Sequence, residues 1–435
     1  MNSVYDEFVW RGMVYDGTDG VRDLLAHEGV TAYIGFDPTA SSFHVGSLLP
    51  IMALARLQRF GHTPIAIVGG GTGLIGDPSG KSQERTLLSR DEVAHNLEGL
   101  RRQLEKFLDF SPSTGGAHIV NNAEWLDQLS LMEFLRDTGK HFTVNYMLAK
   151  ESVKRRVGSN DGISFTEFSY LMLQAYDFLT LYDRYKCRLQ LGGSDQWGNI
   201  VAGCDLIRKL RAAKAFGLVL PLVTTASGTK FGKTEAGTVW LDADRTSPFR
   251  FYQFWLNVDD RDAVTYLKYF TSLARAELDE LEATAARAPE RREAQRVLAR
   301  EITRLVHGGE QVERAERATA VLFGEGISTA TVDDVLMVFE DAPSSALDAT
   351  VFAGAGASLV DVLARVKLAA SKGEAARLVR SGGVYVNNRR IGDDKARLTT
   401  ADVVGGRVIV LRRGAKNYHL VRVKEGTGDS GWSEG

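Results

Sequence analysis

Residues 31–60 read TAYIGFDPTASSFHVGSLLPIMALARLQRF, and the change of rhythm along them sets the fold class. Thr31–Phe36 is an uncharged run rich in apolar and β-branched side chains, the pattern of a buried strand. A polar stretch holding Pro38, Thr39, Ser41 and Ser42 comes next. From Ser47 to Phe60 the rhythm turns helical, with Leu48, Met52, Ala55 and Leu57 forming an apolar stripe. Pro50 must lie in the first turn of that helix or kink it, because proline lacks the N–H that a helix interior needs. Pro64–Val68 reads as a second buried strand. A later strand, Cys187–Leu191, runs into Gly192–Gly193 and a helix near Asn199–Arg211. Short buried strands alternating with amphipathic helices predict an α/β domain built on a parallel sheet.

The strand Pro64–Val68 leads into GGGTGLIGDPSGKS at 69–82, which invites two phosphate-loop readings. Gly71, Gly73 and Gly76 satisfy the spacing of a dinucleotide fingerprint, but Asp77-Pro78-Ser79-Gly80 breaks the helix that this fingerprint must open. No second strand ending in an acid occurs about 20 residues on. Gly80-Lys81-Ser82 resembles the end of a P-loop, yet the earlier glycine that loop requires falls on Ile75. The first reading fails on its structural context and the second on spacing. The loop that ends in His44-Val45-Gly46-Ser47 fits better. Glycine at a helix N-terminus lets a nucleotide approach the backbone, the helix dipole favours phosphate, and His44 can donate a hydrogen bond to a phosphate oxygen.

Composition bounds the rest. A chain of 435 residues with 44% hydrophobic and 25% charged residues is a globular protein of two or three domains. It has no apolar run long enough to span a membrane and no visible secretory signal. Its two cysteines, Cys187 and Cys204, form no CxxC pair. They suit a reducing cytoplasm and supply neither a disulfide framework nor a metal site. Between Ser247 and Phe323 glycine nearly vanishes, and Arg275–Arg287 and Arg291–Val306 read as helices. Asp341–Ser358 is small, polar and weakly periodic, the texture of a linker. Beyond it come two helices, Leu359–Val366 and Lys372–Val379, and strands at Val384–Val386, Val408–Leu411 and His419–Val423. Asp361–Lys424 holds 15 Lys and Arg against 5 Asp and Glu, a net of +10, leaving −12 on the remainder. A basic module on an acidic body predicts a polyanionic partner. The expected divisions are 1–246, 247–340, a linker at 341–358, 359–424 and a tail at 425–435.

One helix carries an unusual polar stripe. Along Phe165–Tyr185, Tyr170, Gln174 and Asp177 lie at i, i+4 and i+7 and share a face, while Leu171, Leu173, Phe178 and Leu179 make the other faces apolar. A polar stripe on a helix buried nearly all round needs partners, and a bound ligand is one.

These residues together resemble a family. His44-Val45-Gly46-Ser47 is similar to the HIGH motif of class I aminoacyl-tRNA synthetases, and Lys230-Phe231-Gly232-Lys233-Thr234 to their KMSKS loop. YIGFDPTASSFHVG at 33–46, GLIGDPSGK at 73–81, FTEFSYLMLQAYDF at 165–178 and LGGSDQWGNI at 191–200 resemble segments of the tyrosyl members, in the family's order. The basic C-terminal module resembles the αL RNA-binding motif of ribosomal proteins. The likeness runs from about Tyr33 to Val423. It departs at Ser47, where the family has histidine, and at Ile34, where it often has cysteine.

The resemblance implies a Rossmann-like catalytic domain, a helical domain and a small α+β RNA-binding domain. It implies that tyrosine is activated with ATP and Mg²⁺ and passed to tRNA(Tyr), with no tightly bound cofactor and no resident metal, by a cytoplasmic homodimer that engages no membrane. Tyr33 and Asp177 would bond the phenol, and Tyr170, Gln174 and Asp77 the ammonium group. Gln196 would lie near the carboxylate. Asp37, His44, Gly46, Ser47, Gly193 and Asp195 would surround ATP. Thr39, His44, Lys81, Arg85, Lys230 and Lys233 would stabilise the pyrophosphate charge as it develops. A tryptophanyl enzyme is the near alternative, and the phenol-directed pair argues against it. A non-catalytic RNA-binding relative would be expected to lack His44, Asp77 or Lys233, and all three are present.

Overall fold

The computed structural model describes residues 3–79, 87–111, 116–158, 162–226, 228, 231–234, 237–322, 327, 331–340, 342–414 and 417–424. The chain forms two compact units, 1–306 and 307–435.

The first unit is built on a six-stranded sheet. Its strands are β1 (Asp16–Gly17), β2 (Thr31–Phe36), β3 (Thr63–Val68), β4 (His118–Asn121), β5 (Cys187–Gly193) and β6 (Phe216–Leu220), in the order β1-β6-β5-β2-β3-β4. All neighbours are parallel except the short edge strand β1, which runs antiparallel to β6. From β2 the chain winds outward through β3 to β4, then returns to β5 on the other side of β2 and winds out to β6. The order therefore reverses between β2 and β5. In open parallel sheets the crevice beyond the carboxyl ends of the strands at such a reversal is where ligands bind.

The predicted elements of this unit are present. The helix Leu48–Arg59 succeeds a short 3₁₀ turn at Val45–Ser47, and Pro50 sits in its first turn, where no intrahelical N–H is needed. Helix Phe165–Tyr185 has the predicted bounds. Ser164 caps it by accepting from the Glu167 N–H, and Lys186 ends it at φ 56°. Beyond the sheet, β7 (Lys233–Thr234) and β8 (Gly237–Thr238) form a small antiparallel ladder. The helices Pro248–Leu256, Asp260–Phe270, Arg275–Arg287 and Glu293–His307 come after it.

A second helix supports the loop that opens the site. Arg90–Leu104, capped by a reciprocal Ser89–Glu92 pair, lies along residues 38–43. Asn96 Nδ2 donates to the Pro38 carbonyl at 2.9 Å. Gln103 accepts from the Phe43 N–H at 2.9 Å and donates to Ser42 Oγ at 2.9 Å. Gly99 permits this closeness, because a Cβ there would lie 2.0 Å from the Ser41 carbonyl oxygen.

In the second unit, helices Gly309–Leu322, Val332–Val338, Leu359–Arg365 and Lys372–Arg380 accompany two sheets. The strands are β9 (Ser344–Asp348), β10 (Ala357–Ser358), β11 (Val384–Val386), β12 (Arg389–Ile391), β13 (Arg397–Leu398), β14 (Val408–Arg413) and β15 (Asn417–Lys424). The larger sheet has the order β12-β11-β14-β15-β9, and β10 pairs with β13.

Two expectations from the sequence need correction. Asp341–Ser358 is not a linker: β9 pairs in parallel with β15 from Ser344↔Leu420 to Asp348↔Lys424, and Leu347 and Phe352 enter the core. The segment is weakly periodic because an edge strand needs few apolar anchors. The helical stretch 247–340 is not one body either, since the division falls after Val306 and its last helices belong to the basic unit.

Gly99→Ala should destabilise the protein by about 1–3 kcal/mol, because the new methyl group must displace backbone rather than a side chain. Chemical denaturation checks this, and an unchanged midpoint would show that the Arg90–Leu104 helix is not in tight contact with the loop.

Candidate active site

Over the carboxyl ends of the central strands lies a cavity of about 460 Å³. Tyr33 and Gln190 stand side by side in it, paired in register across β2 and β5. The Gly69–Ser79 segment leaves β3, Asn122 follows β4, and Ser194–Gln196 continues from β5. The polar face of Phe165–Tyr185 closes one side: Tyr170, Gln174 and Asp177 all line the cavity.

The deep end is organised around Asp177, 4% exposed. Its Oδ1 accepts from Trp125 Nε1 at 2.7 Å and its Oδ2 from Asn122 Nδ2 at 2.9 Å. Burial drives the Asp177 carboxyl up to about 7; the two hydrogen bonds oppose that rise and the Asp37 charge adds to it. Beside it Tyr33, 1% exposed, packs its ring on Phe178 at 5.2 Å between centroids. Among the described residues its hydroxyl has no hydrogen-bond partner, and neither has Gln190 Oε1. Burial, with the Asp177 charge second, holds the Tyr33 phenol neutral well above its usual range. Each carboxylate oxygen of Asp177 has accepted one bond and can accept another.

Further out the polar groups form a connected network. Asn122 donates to Thr72 Oγ1 at 2.9 Å and accepts from the Gly71 N–H at 2.8 Å. Thr72 and Tyr170 both donate to the Asp37 carboxylate, at 3.3 and 3.2 Å. Asp77 accepts from the Ser79 N–H at 2.9 Å and from Gln196 Nε2 at 2.6 Å. Gln174 donates to Gln196 Oε1 at 3.2 Å and accepts from Asn199 Nδ2 at 2.9 Å. Asp37, Asp77 and Asp177 thus share a cavity whose described lining holds no Lys or Arg, a field that suits a cationic group.

The other end is formed by the motif His44–Ser47. His44 Nδ1 accepts from the Gly46 N–H at 3.0 Å, which places the ring proton on Nε2, a donor suited to a phosphate oxygen. A Cβ at Gly46 would meet the His44 ring at 2.8 Å, and one at Gly193 would meet Asp195 Oδ1 at 2.6 Å. Ser47 and Ile34, the two departures from the family pattern, also line the cavity.

Thirteen predicted residues meet here: Tyr33, Asp37, Thr39, His44, Gly46, Ser47, Asp77, Tyr170, Gln174, Asp177, Gly193, Asp195 and Gln196. Lys81, Arg85 and Lys230 lie outside the described residues. Lys233 has described backbone only, in the ladder of β7 and β8. The site also holds Asn122, Trp125, Thr72, Asn199 and Gln190, none of which the sequence reading picks out. The signal for the first two is the run Asn121-Asn122-Ala-Glu-Trp125, directly after the apolar pair Ile119-Val120.

The model for tRNA synthetases class I (W and Y) matches residues 25–324, and that for the tyrosine–tRNA ligase SYY-like C-terminal domain matches residues 334–421. The chain is 58% identical to the tyrosine–tRNA ligase of Roseiflexus castenholzii over 97% of its own length and 100% of the relative's. This chain belongs to the class I tyrosyl-tRNA synthetases. The ligase of Geobacillus kaustophilus is 52% identical over 96% of this chain and 98% of its own. A C-terminally truncated mitochondrial tyrosyl-tRNA synthetase of Aspergillus nidulans matches in structure with a TM-score of 0.67 and 31% identity, covering 74% of this chain and 95% of its own.

Asp177 makes a test of this synthetase's interior. With its carboxyl raised to about 7, the folded chain holds the proton over a window from about pH 4, where the unfolded carboxyl titrates, to about pH 7. The Asp177 contribution to stability therefore falls as pH rises through that window and levels off above it. Asp177→Asn carries no charge, although its amide would face Asn122 Nδ2 and add a cost that is independent of pH. Relative to wild type, the variant should gain about 2–3 kcal/mol between pH 5 and 8. Unfolding curves that stay parallel across this range would show that Asp177 is not a strained buried acid.

Proposed function

We propose that the cavity binds tyrosine at its deep end and ATP at its outer end, so that the chain makes tyrosyl-adenylate and passes the tyrosyl group to tRNA(Tyr). The observation that carries the reading is the deep end itself. An orphaned Tyr33 hydroxyl beside a carboxylate with acceptor capacity to spare, among Phe178 and Trp125, matches a phenol: a flat ring to pack and one hydroxyl that can both donate and accept. The indole of tryptophan carries a donor and no acceptor, and would leave the Tyr33 hydroxyl without a bond to donate.

In this arrangement the phenol donates to Asp177 and accepts from Tyr33. The ammonium group lies among Asp77, Tyr170 and Gln174, where the carboxylates favour it. Gln196 stands beside the substrate carboxylate. Asp195 accepts from an ATP ribose hydroxyl, Gly46 and Gly193 allow the nucleotide to approach the backbone, and Asp37 and Ser47 complete that side. Thr39 and His44 donate to the triphosphate, and Lys81, Arg85, Lys230 and Lys233 supply positive charge, with Mg²⁺ entering as part of the ATP substrate.

The chemistry needs no protein nucleophile. An oxygen of the tyrosine carboxylate attacks the α-phosphorus, the bond from that phosphorus to the bridging oxygen breaks, and pyrophosphate leaves with the electron pair. A ribose hydroxyl at the tRNA 3′ end then attacks the tyrosyl carbonyl and AMP departs. Rate enhancement comes from alignment and from donors aimed at the charge that develops on the leaving group. The basic module holds tRNA through its phosphates. A second copy of the chain is the partner proposed for the exposed apolar side chains of Leu131, Met132, Leu135, Val144, Leu148, Val157 and Phe165. No helix among the described residues is long and apolar enough to cross a membrane.

Phenylalanine fits wherever tyrosine fits, so rejecting it rests on polar groups left unpaired. Tyr33→Phe should lower the tyrosine-over-phenylalanine ratio of kcat/KM in ATP–pyrophosphate exchange by about 1–2 kcal/mol. A ratio that does not fall would remove Tyr33 from phenol recognition.

A further inference from the structure

Of the arginines buried almost completely outside the cavity, two, Arg11 at 3% and Arg56 at 5% exposure, address one place. Arg11 Nη1 donates to the carbonyls of Lys268 at 2.9 Å and Thr271 at 3.2 Å, and its Nη2 to that of Leu273 at 2.9 Å. Arg56 Nη2 donates to the same Lys268 and Thr271 carbonyls, at 3.2 and 2.8 Å. These oxygens close the C-terminal turn of the helix Asp260–Phe270, where the last carbonyls of a helix lack partners and its dipole is negative. Glu7 pairs with Arg11. Two like charges beside one carboxylate in a dry interior are expensive to hold, and a helix end on the surface would need neither.

The elements these arginines join are informative. Arg56 lies on the helix Leu48–Arg59, which leaves the nucleotide loop His44–Ser47 directly. The helix it caps carries Tyr266 and Phe270, two walls of an aromatic socket filled by Phe231. Ring centroids of Phe231 lie 4.8 Å from Tyr266 and 5.7 Å from each of Phe254, Trp255 and Phe270. Phe231 belongs to the segment that resembles the KMSKS loop. The next residue, Gly232, lies at φ +80°, and a Cβ there would meet Val45 Cγ2 at 2.7 Å. Its carbonyl accepts from the Val239 N–H at 3.0 Å, and the Val239 carbonyl accepts from the Val45 N–H at 3.0 Å. The two phosphate-side motifs therefore touch directly at Val45 and Gly232, and are joined a second time through Arg56, the capped helix and Phe231.

We propose that Arg11 and Arg56 are positioning residues for the loop that carries Phe231. By capping the helix Asp260–Phe270 against the helix that leaves His44–Ser47, they fix the aromatic socket that holds Phe231, and with it the placement of residues 231–234 beside Val45. They touch no substrate and act through Phe231. The proposal rests on the reading of this loop as a phosphate-side element.

The test uses the full-length protein, with single-turnover tyrosyl-adenylate formation at saturating tyrosine and ATP and a separate tyrosine dissociation constant. Arg56→Met removes both carbonyl contacts; Arg56→Lys keeps the charge but cannot span two carbonyls as a guanidinium does. Phe231→Leu keeps an apolar plug without the ring contacts, and with Arg56→Lys it carries the test should Arg56→Met fail to fold. Each variant should slow adenylate formation by about tenfold or more, as expected of a loop displaced by a fraction of an ångström, with tyrosine affinity within about twofold. Arg56→Met combined with Phe231→Leu should be no slower than the worse single variant, because both break one linkage. Unchanged rates in folded variants, multiplying effects, or a parallel loss of tyrosine affinity would each overturn the proposal. Lys233→Ala in the same assay separates the two ideas: if it has no effect, the reading of the loop fails, and if it slows the reaction while the Arg56 variants do not, only the positioning role fails.

Discussion

Asp177 sits with its carboxylate among Tyr33, Phe178 and Trp125, out of reach of bulk water. Desolvating a carboxylate costs several kcal/mol unless hydrogen bonds compensate, and among the described residues Asn122 and Trp125 supply them. Holding that group there constrains much of the surrounding chain. Asn122 must follow β4 at the height of the helix carrying Asp177, and Thr72 and Gly71 must turn back to satisfy Asn122. The Gly69–Gly71 turn must be tight enough to allow it: a Cβ at Gly69 would lie 2.4 Å from Thr72 Oγ1, and one at Gly70 would lie 2.1 Å from Asn121 Oδ1. An apolar residue at 177 would avoid that desolvation and would offer no acceptor to a bound hydroxyl.

The sheet explains why such a network can be assembled. Parallel strands deliver their carboxyl ends to one edge, and the reversal between β2 and β5 opens a crevice there. Residues distant in sequence, from Tyr33 to Asn199, thereby reach one volume. Asp77 and Asp177 lie on the side of the polar helix face and His44 at the other end of the cavity, and the proposed division between a site for a cationic amino acid and one for phosphates rests on that separation.

Much of this is legible in the sequence where the signal is local. The helix Phe165–Tyr185 announces itself by its apolar faces and its polar stripe, and the stripe faces the cavity as its apolar surroundings require. Asn122 and Trp125 are not legible in the same way. β4 has four residues, too few for a pattern, and the importance of the turn beyond it depends on a helix more than forty residues later. β9 is hidden for a related reason. An edge strand of small and polar residues looks like a linker until its partner, seventy residues on, is in place. The arginine clamp is invisible too, since nothing local marks Arg11 or Arg56 as buried.

Selection of a phenol-bearing amino acid by the deep pocket is the central claim. ATP–pyrophosphate exchange by the full-length protein, with each of the twenty amino acids supplied in turn, tests it most directly. Tyrosine alone should support rapid exchange, with phenylalanine and tryptophan orders of magnitude slower in kcat/KM. Exchange as fast with tryptophan or phenylalanine would contradict the roles of Tyr33 and Asp177 and, with them, the reading of the site.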